Sequence, residues 1–259
     1  QESWFYDAPL SYPKGVSQAL KVQEFLNQQQ NDTIPPREAQ YIQYMVSLSK
    51  NDYQDDENDK SKRAILVCSN LRRAISTMAI GFQSRMSSKQ EKILLMPQLQ
   101  EMSRNPDALC ITPPYSSHGV TPSYTDVKYD NFHLSKTKMS AKPLQDLLQT
   151  QIDTRWHDGN KDMIKSNGLI RMMSFCEDVF SKEELRTPEC LIVGGHSLWF
   201  RSFFRTFLPS HVKHICKAKK IVNGGVVGFV LIKTPQDEKK KYPPYIVDPT
   251  SITVLYGGF

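Results

Sequence analysis

A chain of 259 residues, 39% of them hydrophobic, can bury a sizeable core as one large domain, and nothing in it demands two. No apolar run approaches the ~20 residues that cross a bilayer, and no charged segment followed by an apolar stretch opens the sequence as a signal peptide would, so membrane insertion is not expected. The net charge of +6 is dispersed: the clusters Lys217 to Lys220 and Lys239 to Lys241 read as solvated turns rather than a nucleic-acid face, which needs a continuous basic stripe, while a positive balance suits a phosphorylated substrate.

The five cysteines, Cys68, Cys110, Cys176, Cys190 and Cys216, are odd in number and scattered. There is no C-x-x-C pair and no histidine at metal-ligand spacing. This pattern predicts reduced, mostly buried thiols, no zinc site and no cofactor, in an intracellular, cytoplasmic setting that leaves organelle or cytoskeletal association open. The chain opens on Gln1 rather than Met, which is expected of a trimmed or processed polypeptide.

In chain order, Asp7-Ala8-Pro9-Leu10-Ser11 ends in turn chemistry. Ser11 is placed to cap a helix whose apolar positions Val16, Ala19, Leu20 and Phe25 form one stripe, with Gly15 in its first turn. A second amphipathic helix is predicted from about Arg37 to Leu48, and the charged stretch Asn51 to Lys62 reads as an exposed loop. Ala64-Ile65-Leu66-Val67-Cys68 is apolar without alternation, the pattern of a parallel strand covered on both faces, and it leads into a helix running to about Phe82. A second such strand, Ile93 to Met96, stops at Pro97.

From Gln98 to Ser135 the chain is rich in Pro, Ser, Tyr and Asp, and Pro106, Pro113, Pro114 and Pro122 forbid long regular elements. An insertion of this length within a domain reads as a lid over a substrate. Helices are predicted from about Lys142 to Gln151 and Lys161 to Phe180, then a third buried strand at Leu191 to Gly194 and a helix from Ser197 to Leu208, closed by Pro209. Gly225 to Ile232 and Tyr245 to Val247 flank a lysine-rich turn, and Ile252 to Leu255 is a further strand, which together suggest an antiparallel hairpin at a sheet edge. The alternation predicts a three-layer α/β/α domain with a largely parallel central sheet.

Two segments follow strands and open helices, where open α/β sheets hold their ligands: Ser69 to Thr77 and Gly194-Gly195-His196-Ser197. Gly194 and Gly195 would let a ligand approach the backbone, and the helix after His196 turns free N–H groups toward an anion. Arg73 lies in the first turn of its helix, against the dipole preference. A surface ion pair is the plain explanation, and a fork for phosphate oxygens the functional one. Glu101, after the second strand, is by default a solvated loop residue, but beside a phosphate pocket it could hold a proton if its pKa were raised. Gly195-His196-Ser197-Leu198-Trp199 begins like a nucleophile elbow, yet Trp199 stands where the last glycine is needed, so a serine hydrolase fits poorly.

Together these segments resemble the histidine phosphatase (phosphoglycerate mutase-like) superfamily. Asp7 to Ala19 is similar to its D-x-P-L-[ST]-x-x-G-x-x-Q-A stretch, Ser69 to Thr77 to S-x-L-x-R-A-x-x-T, Leu99-Gln100-Glu101 to L-x-E, and Gly195-His196-Ser197 to the second histidine motif. The resemblance implies that Arg73, His196 and Ser197 bind the phosphoryl group, that Arg73, Glu101 and His196 act in catalysis with Glu101 as proton donor, and that transfer passes through a phosphohistidine.

The family's nucleophile lies in an Arg-His-Gly motif at the end of a strand upstream of the Asp7 segment, and no His or Arg precedes Asp7 in this sequence. Ser117-His118-Gly119 lies in the insertion with no strand before it, and is a poor substitute. The resemblance therefore implies one of two things. With an upstream Arg-His-Gly, the protein is a phosphatase acting on a phosphorylated small molecule or phosphoprotein. Without one, it is a pseudoenzyme that serves a larger assembly as a scaffold or interaction subunit.

Overall fold

The computed structural model describes residues 6–11, 13–28, 36–46, 64–89, 91–117, 148–160, 168–235 and 244–259. Helix α1 (Lys14–Gln28) starts where its sequence signals place it. The Ser11 carbonyl accepts from the Gly15 and Val16 amides, and its Oγ also accepts from Gly15 N at 3.2 Å. Helix α2 (Pro36–Val46) follows, then strand β1 (Ala64–Cys68), helix α3 (Arg72–Gly81) and the short helix α4 (Gln83–Lys89).

Strands β2 (Ile93–Leu95), β3 (Ile152–Asp153) and β4 (Cys190–Gly194) complete a four-stranded sheet in the order β3-β2-β1-β4. All its pairings are parallel, with Leu66 opposite Ile93 on one side and Ile192 on the other. Alternate strand residues serve two separate apolar clusters. Leu66, Cys68, Ile93, Leu95 and Ile192 pack with α1 and α3 through Val16, Ala19, Val22, Ile75 and Met78. Val67 and Leu94 face the opposite cluster, built around α5 (Gly168–Ser181) and α7 (Ser197–Phe207), with the four-residue helix α6 (Glu183–Arg186) between them in sequence. Burial on both faces explains why these strands read as unbroken apolar runs.

Helix α7 is fixed by an aromatic stripe. Trp199, Phe203 and Phe207 recur every four residues, and with Phe204 they are fully buried. Trp199 stacks on Phe203 at 5.1 Å and Phe203 contacts Phe207 at 4.6 Å. Burial of such side chains stabilises by roughly 1.5–3 kcal/mol each, which holds the first turn of α7 firmly at the end of β4.

After α8 (Ile215–Ala218) come β5 (Val226–Gly228), β6 (Leu231–Lys233), β7 (Tyr245–Val247) and β8 (Thr253–Tyr256). The predicted antiparallel pairing is present, β6 with β7 and β5 with β8. Among the described residues, however, these form two small separate sheets, not an edge of the parallel one. The ladder breaks at Phe229 and Val230, where the Ser251 hydroxyl accepts from the Val230 amide at 2.8 Å in place of a strand partner.

Strand β3 was not expected from the sequence: two residues give no periodic pattern, and Asp153 lies just beyond a segment that reads as helix. The loop at 51–62, the insertion beyond Ser117, most of the helix expected from 142 and the lysine-rich turn at 239–241 lie outside the described residues. Among the described residues, no helix is long and apolar enough to cross a membrane. All five cysteines are free, and only Cys190 is not fully buried.

Candidate functional site

The parallel strands β1 and β4 end side by side, and the helices that follow them begin at the same place. Ser69 N donates to the Gly194 carbonyl at 2.9 Å. His196 is the N-cap of α7, with φ −120° and ψ 144°, and its side chain does not cap the helix. Instead Nε2 lies 2.8 Å from Ser69 Oγ, in a hydrogen bond whose direction depends on the tautomer. Only 5% of His196 is exposed. Burial, then the charges of Arg73 and Arg171, holds its pKa well below 6.5, so the imidazole is neutral at physiological pH.

The two glycines before it serve packing rather than ligand approach. A Cβ on Gly194 would collide with Met78 of α3 and come within 3.0 Å of Cys68 Sγ, and one on Gly195 would meet the Phe200 ring at 3.1 Å. The glycine pair thus lets α3 and α7 close onto the strand end.

Arg73 projects from the first turn of α3 and is partly exposed. Its Nη1 donates to the Asp107 carbonyl at 2.7 Å and lies 3.8 Å from Asp107 Oδ2. The fork is thus half engaged by the short turn Pro106–Ala108. Glu101 Oε1 accepts from the Met102 amide at 2.8 Å. Burial raises the Glu101 pKa, and Asp107 adds to the rise, while that amide, Arg73 and Lys220 oppose it. Arg73 thus acts electrostatically on both His196 and Glu101, which brings three of the sequence-predicted residues into one field. Ser197, the fourth, opens α7.

Four other contributors have no role assigned from the sequence, three of them inside the quoted motifs. Asp7 is fully buried at φ +44°, a left-handed conformation that Asp tolerates better than most residues. Its Oδ1 accepts from the Arg72 amide at 2.8 Å, its Oδ2 from the Ile111 amide at 3.3 Å, and its carbonyl from the Arg72 guanidinium at 2.7 and 2.9 Å. A carboxylate therefore already occupies the N-terminus of α3. Ser69, though inside the quoted motif, had no assigned role. Asn70 Nδ2 donates to the Gly159 carbonyl at 3.1 Å and ties α3 to the loop after β3. Arg171, 4% exposed, donates from Nη1 to the Gln100 carbonyl at 2.8 Å and from Nη2 to the Glu101 carbonyl at 3.4 Å. Its one signal in sequence is that it is the only charge between Gly168 and Cys176.

The part of the insertion that the structure describes, up to residue 117, is tied to the sheet edge by hydrogen bonds. Buried Gln100 donates to the Ala108 carbonyl and to Asn160 Oδ1, the Tyr115 amide donates to the His157 carbonyl at 2.7 Å, and Trp199 Nε1 donates to the Gln98 carbonyl at 2.8 Å. Cys110 lies in this wall, and burial together with Asp7 pushes its thiol up to about 12, too high for a thiolate nucleophile at neutral pH.

The fold is α/β with a four-stranded parallel sheet, and at the ends of β1 and β4 a buried neutral histidine feels the charges of Arg73 and Arg171. Compared with protein-family models, curated proteins and solved structures, the chain matches none.

Proposed function

We propose that the protein binds a phosphorylated ligand, either a small molecule or a phosphoprotein, at the first turn of α7, in a histidine phosphatase-like site. The observation that carries this reading is the grouping of Arg73, neutral His196 and the raised Glu101 carboxyl at the adjoining ends of β1, β2 and β4. The α7 amides and the Arg73 guanidinium would meet the phosphoryl oxygens, His196 would add a hydrogen bond, and Glu101 would hold the proton that a leaving alkoxide needs.

Turnover by way of a phosphohistidine requires a second histidine in line with the phosphorus. Among the described residues the His196 side chain bonds Ser69 and no other histidine. The resemblance expects the strand that bears this second histidine at the centre of the sheet, whereas β1 and β4 pair directly there; the outer edge of β4 carries no strand partner among the described residues. If such a strand brings an Arg-His-Gly, the site is that of a phosphomonoesterase. If none does, the second reading applies: a pseudoenzyme that retains ligand binding and serves an assembly.

Thermal unfolding with vanadate or phosphate tests the ligand reading. A ligand bound to the native state alone stabilises by RT ln(1 + [L]/Kd), about 2.7 kcal/mol at a hundredfold excess over Kd. The expected result is a dose-dependent rise in the unfolding midpoint that Arg73→Ala and His196→Ala each abolish. A rise that survives both substitutions would place the anion elsewhere and end the reading.

A further inference from the structure

The segment carrying Glu101 is held from several directions. Trp199 of α7 bonds the Gln98 carbonyl, Gln98 Nε2 donates to Asp178 of α5 at 2.8 Å, and Gly168 at the start of α5 leaves room for Met102, which a Cβ there would strike. Arg171 does so with a buried cation. Its guanidinium spans two consecutive backbone carbonyls, of Gln100 and Glu101, from two separate nitrogens held in one plane, a fixed spacing that the single ammonium of lysine lacks. A buried cation is costly to keep where a neutral side chain could fill the volume.

We propose that Arg171 is a positioning residue of the anion site, one that fixes the Glu101 segment by its backbone and adds a second guanidinium charge to the field at His196. The proposal rests on the phospholigand reading for its use, though not for its geometry. Arg73 faces His196 from α3, Arg171 from α5, and Ser69 from the end of β1. Arg73, Asp107, Lys220 and Arg171 face Glu101. Burial first, and then two guanidinium charges, raise the cost of protonating His196, and a bound anion would offset the charges.

The test follows the imidazole Cε1–H resonance of His196 by NMR across pH, assigned by its loss in His196→Gln, in wild type, Arg171→Lys and Arg171→Gln, with vanadate binding measured alongside. The wild-type midpoint is expected well below 6.5. Arg171→Lys keeps the charge but not the rigid two-nitrogen fork, so the midpoint should hold while vanadate binding weakens severalfold. Arg171→Gln should raise the midpoint and weaken binding further. A wild-type midpoint near the ordinary value, or an Arg171→Gln midpoint equal to wild type, overturns the field. If Arg171→Gln does not fold, Arg171→Met, which is neutral and fills the apolar surroundings, takes its place, with the same rise in midpoint expected and an unchanged midpoint overturning the field. Unchanged vanadate binding in Arg171→Lys overturns the positioning role. Should wild type bind no vanadate, the phospholigand reading fails, while the midpoints still report on the charge of Arg171.

Discussion

The N-termini of α3 and α7 lie next to each other at the same edge of the sheet, yet one is closed and the other open. At α3 the buried carboxylate of Asp7 takes the Arg72 amide and the Arg72 guanidinium grips the Asp7 carbonyl, so the positive end of that helix is answered from within the chain. At α7 the N-cap is a histidine whose ring turns aside to Ser69 and does not cap the helix. Two helices of similar length and dipole thus differ in what meets their exposed amides. An internal carboxylate makes a structural joint at α3, and it is at α7 that the proposed anion would bind.

The largest effect should come from opening the closed end. Asp7→Ala removes the acceptor of two backbone amides and puts alanine at a left-handed φ, which should cost about 3 kcal/mol of stability, read as a lower urea midpoint at unchanged slope. Asp7→Asn, which tolerates that φ and keeps one acceptor, should recover part of the loss. His196→Ala, at the open end, should abolish vanadate binding while lowering stability much less. Equal destabilisation by Asp7→Ala and His196→Ala would erase the distinction between the two ends.

A second difference concerns protons. Sulfate does not titrate near neutrality, so any pH dependence of its affinity belongs to the protein. His196 is neutral when free, and a bound dianion favours its imidazolium, so binding takes up a proton and affinity should rise as pH falls, by up to about tenfold per pH unit. Protonation of Glu101, whose pKa burial raises, removes a negative charge and acts in the same direction. Isothermal titration across pH 5 to 8 (about the range in which histidine titrates) should show this slope, reduced in His196→Asn and nearly flat when Glu101→Gln is added. A flat wild-type profile would mean that His196 does not meet the anion. For stability the sign is opposite. Because the folded state resists protonating His196, its contribution is complete above the ordinary value of 6.5 and is lost as pH falls below that toward the depressed folded value.

The open end was legible in the sequence for a physical reason. The strands β1, β2 and β4 are buried on both faces and read as apolar runs, and the residues just past such runs fall at the ligand edge of the sheet whatever the rest of the chain does. That places Arg73, Glu101, His196 and Ser197 without any knowledge of contacts. The closed end was not legible in the same way. Asp7 meets α3 across 65 residues, and nothing local to Asp7 shows which helix it will cap. Arg171 reaches the Glu101 segment across 70 residues from a helix whose own pattern shows only an arginine among apolar neighbours. Gly194 and Gly195 were legible as an absence of side chains but not as to whose volume they vacate, which turned out to be that of Met78 and Phe200.

Within the open end, smaller changes should grade the site. Ser69→Ala removes the bond to His196 Nε2 at 2.8 Å. A hydrogen bond of this kind contributes roughly 1 kcal/mol, so sulfate affinity should fall about fivefold, with the pH slope intact because the imidazole remains.

The smallest effect should come from Asp107, and its sign is the informative part. Asp107 meets Arg73 twice, by its carbonyl at 2.7 Å and by its carboxylate at 3.8 Å. Asp107→Asn leaves the backbone contact and removes only the charge. The pair is partly exposed, so the carboxylate contributes under about 1 kcal/mol to the folded state, and the unfolding midpoint should barely move. The anion, however, competes with that carboxylate for the same guanidinium, so sulfate and vanadate should bind Asp107→Asn two- to threefold more tightly than wild type. Asp107 also raises the Glu101 pKa, so its removal should move the Glu101 part of the affinity profile to lower pH. Weaker anion binding in Asp107→Asn would instead make the ion pair what orients Arg73, and the open end would then depend on an internal carboxylate much as the closed end does.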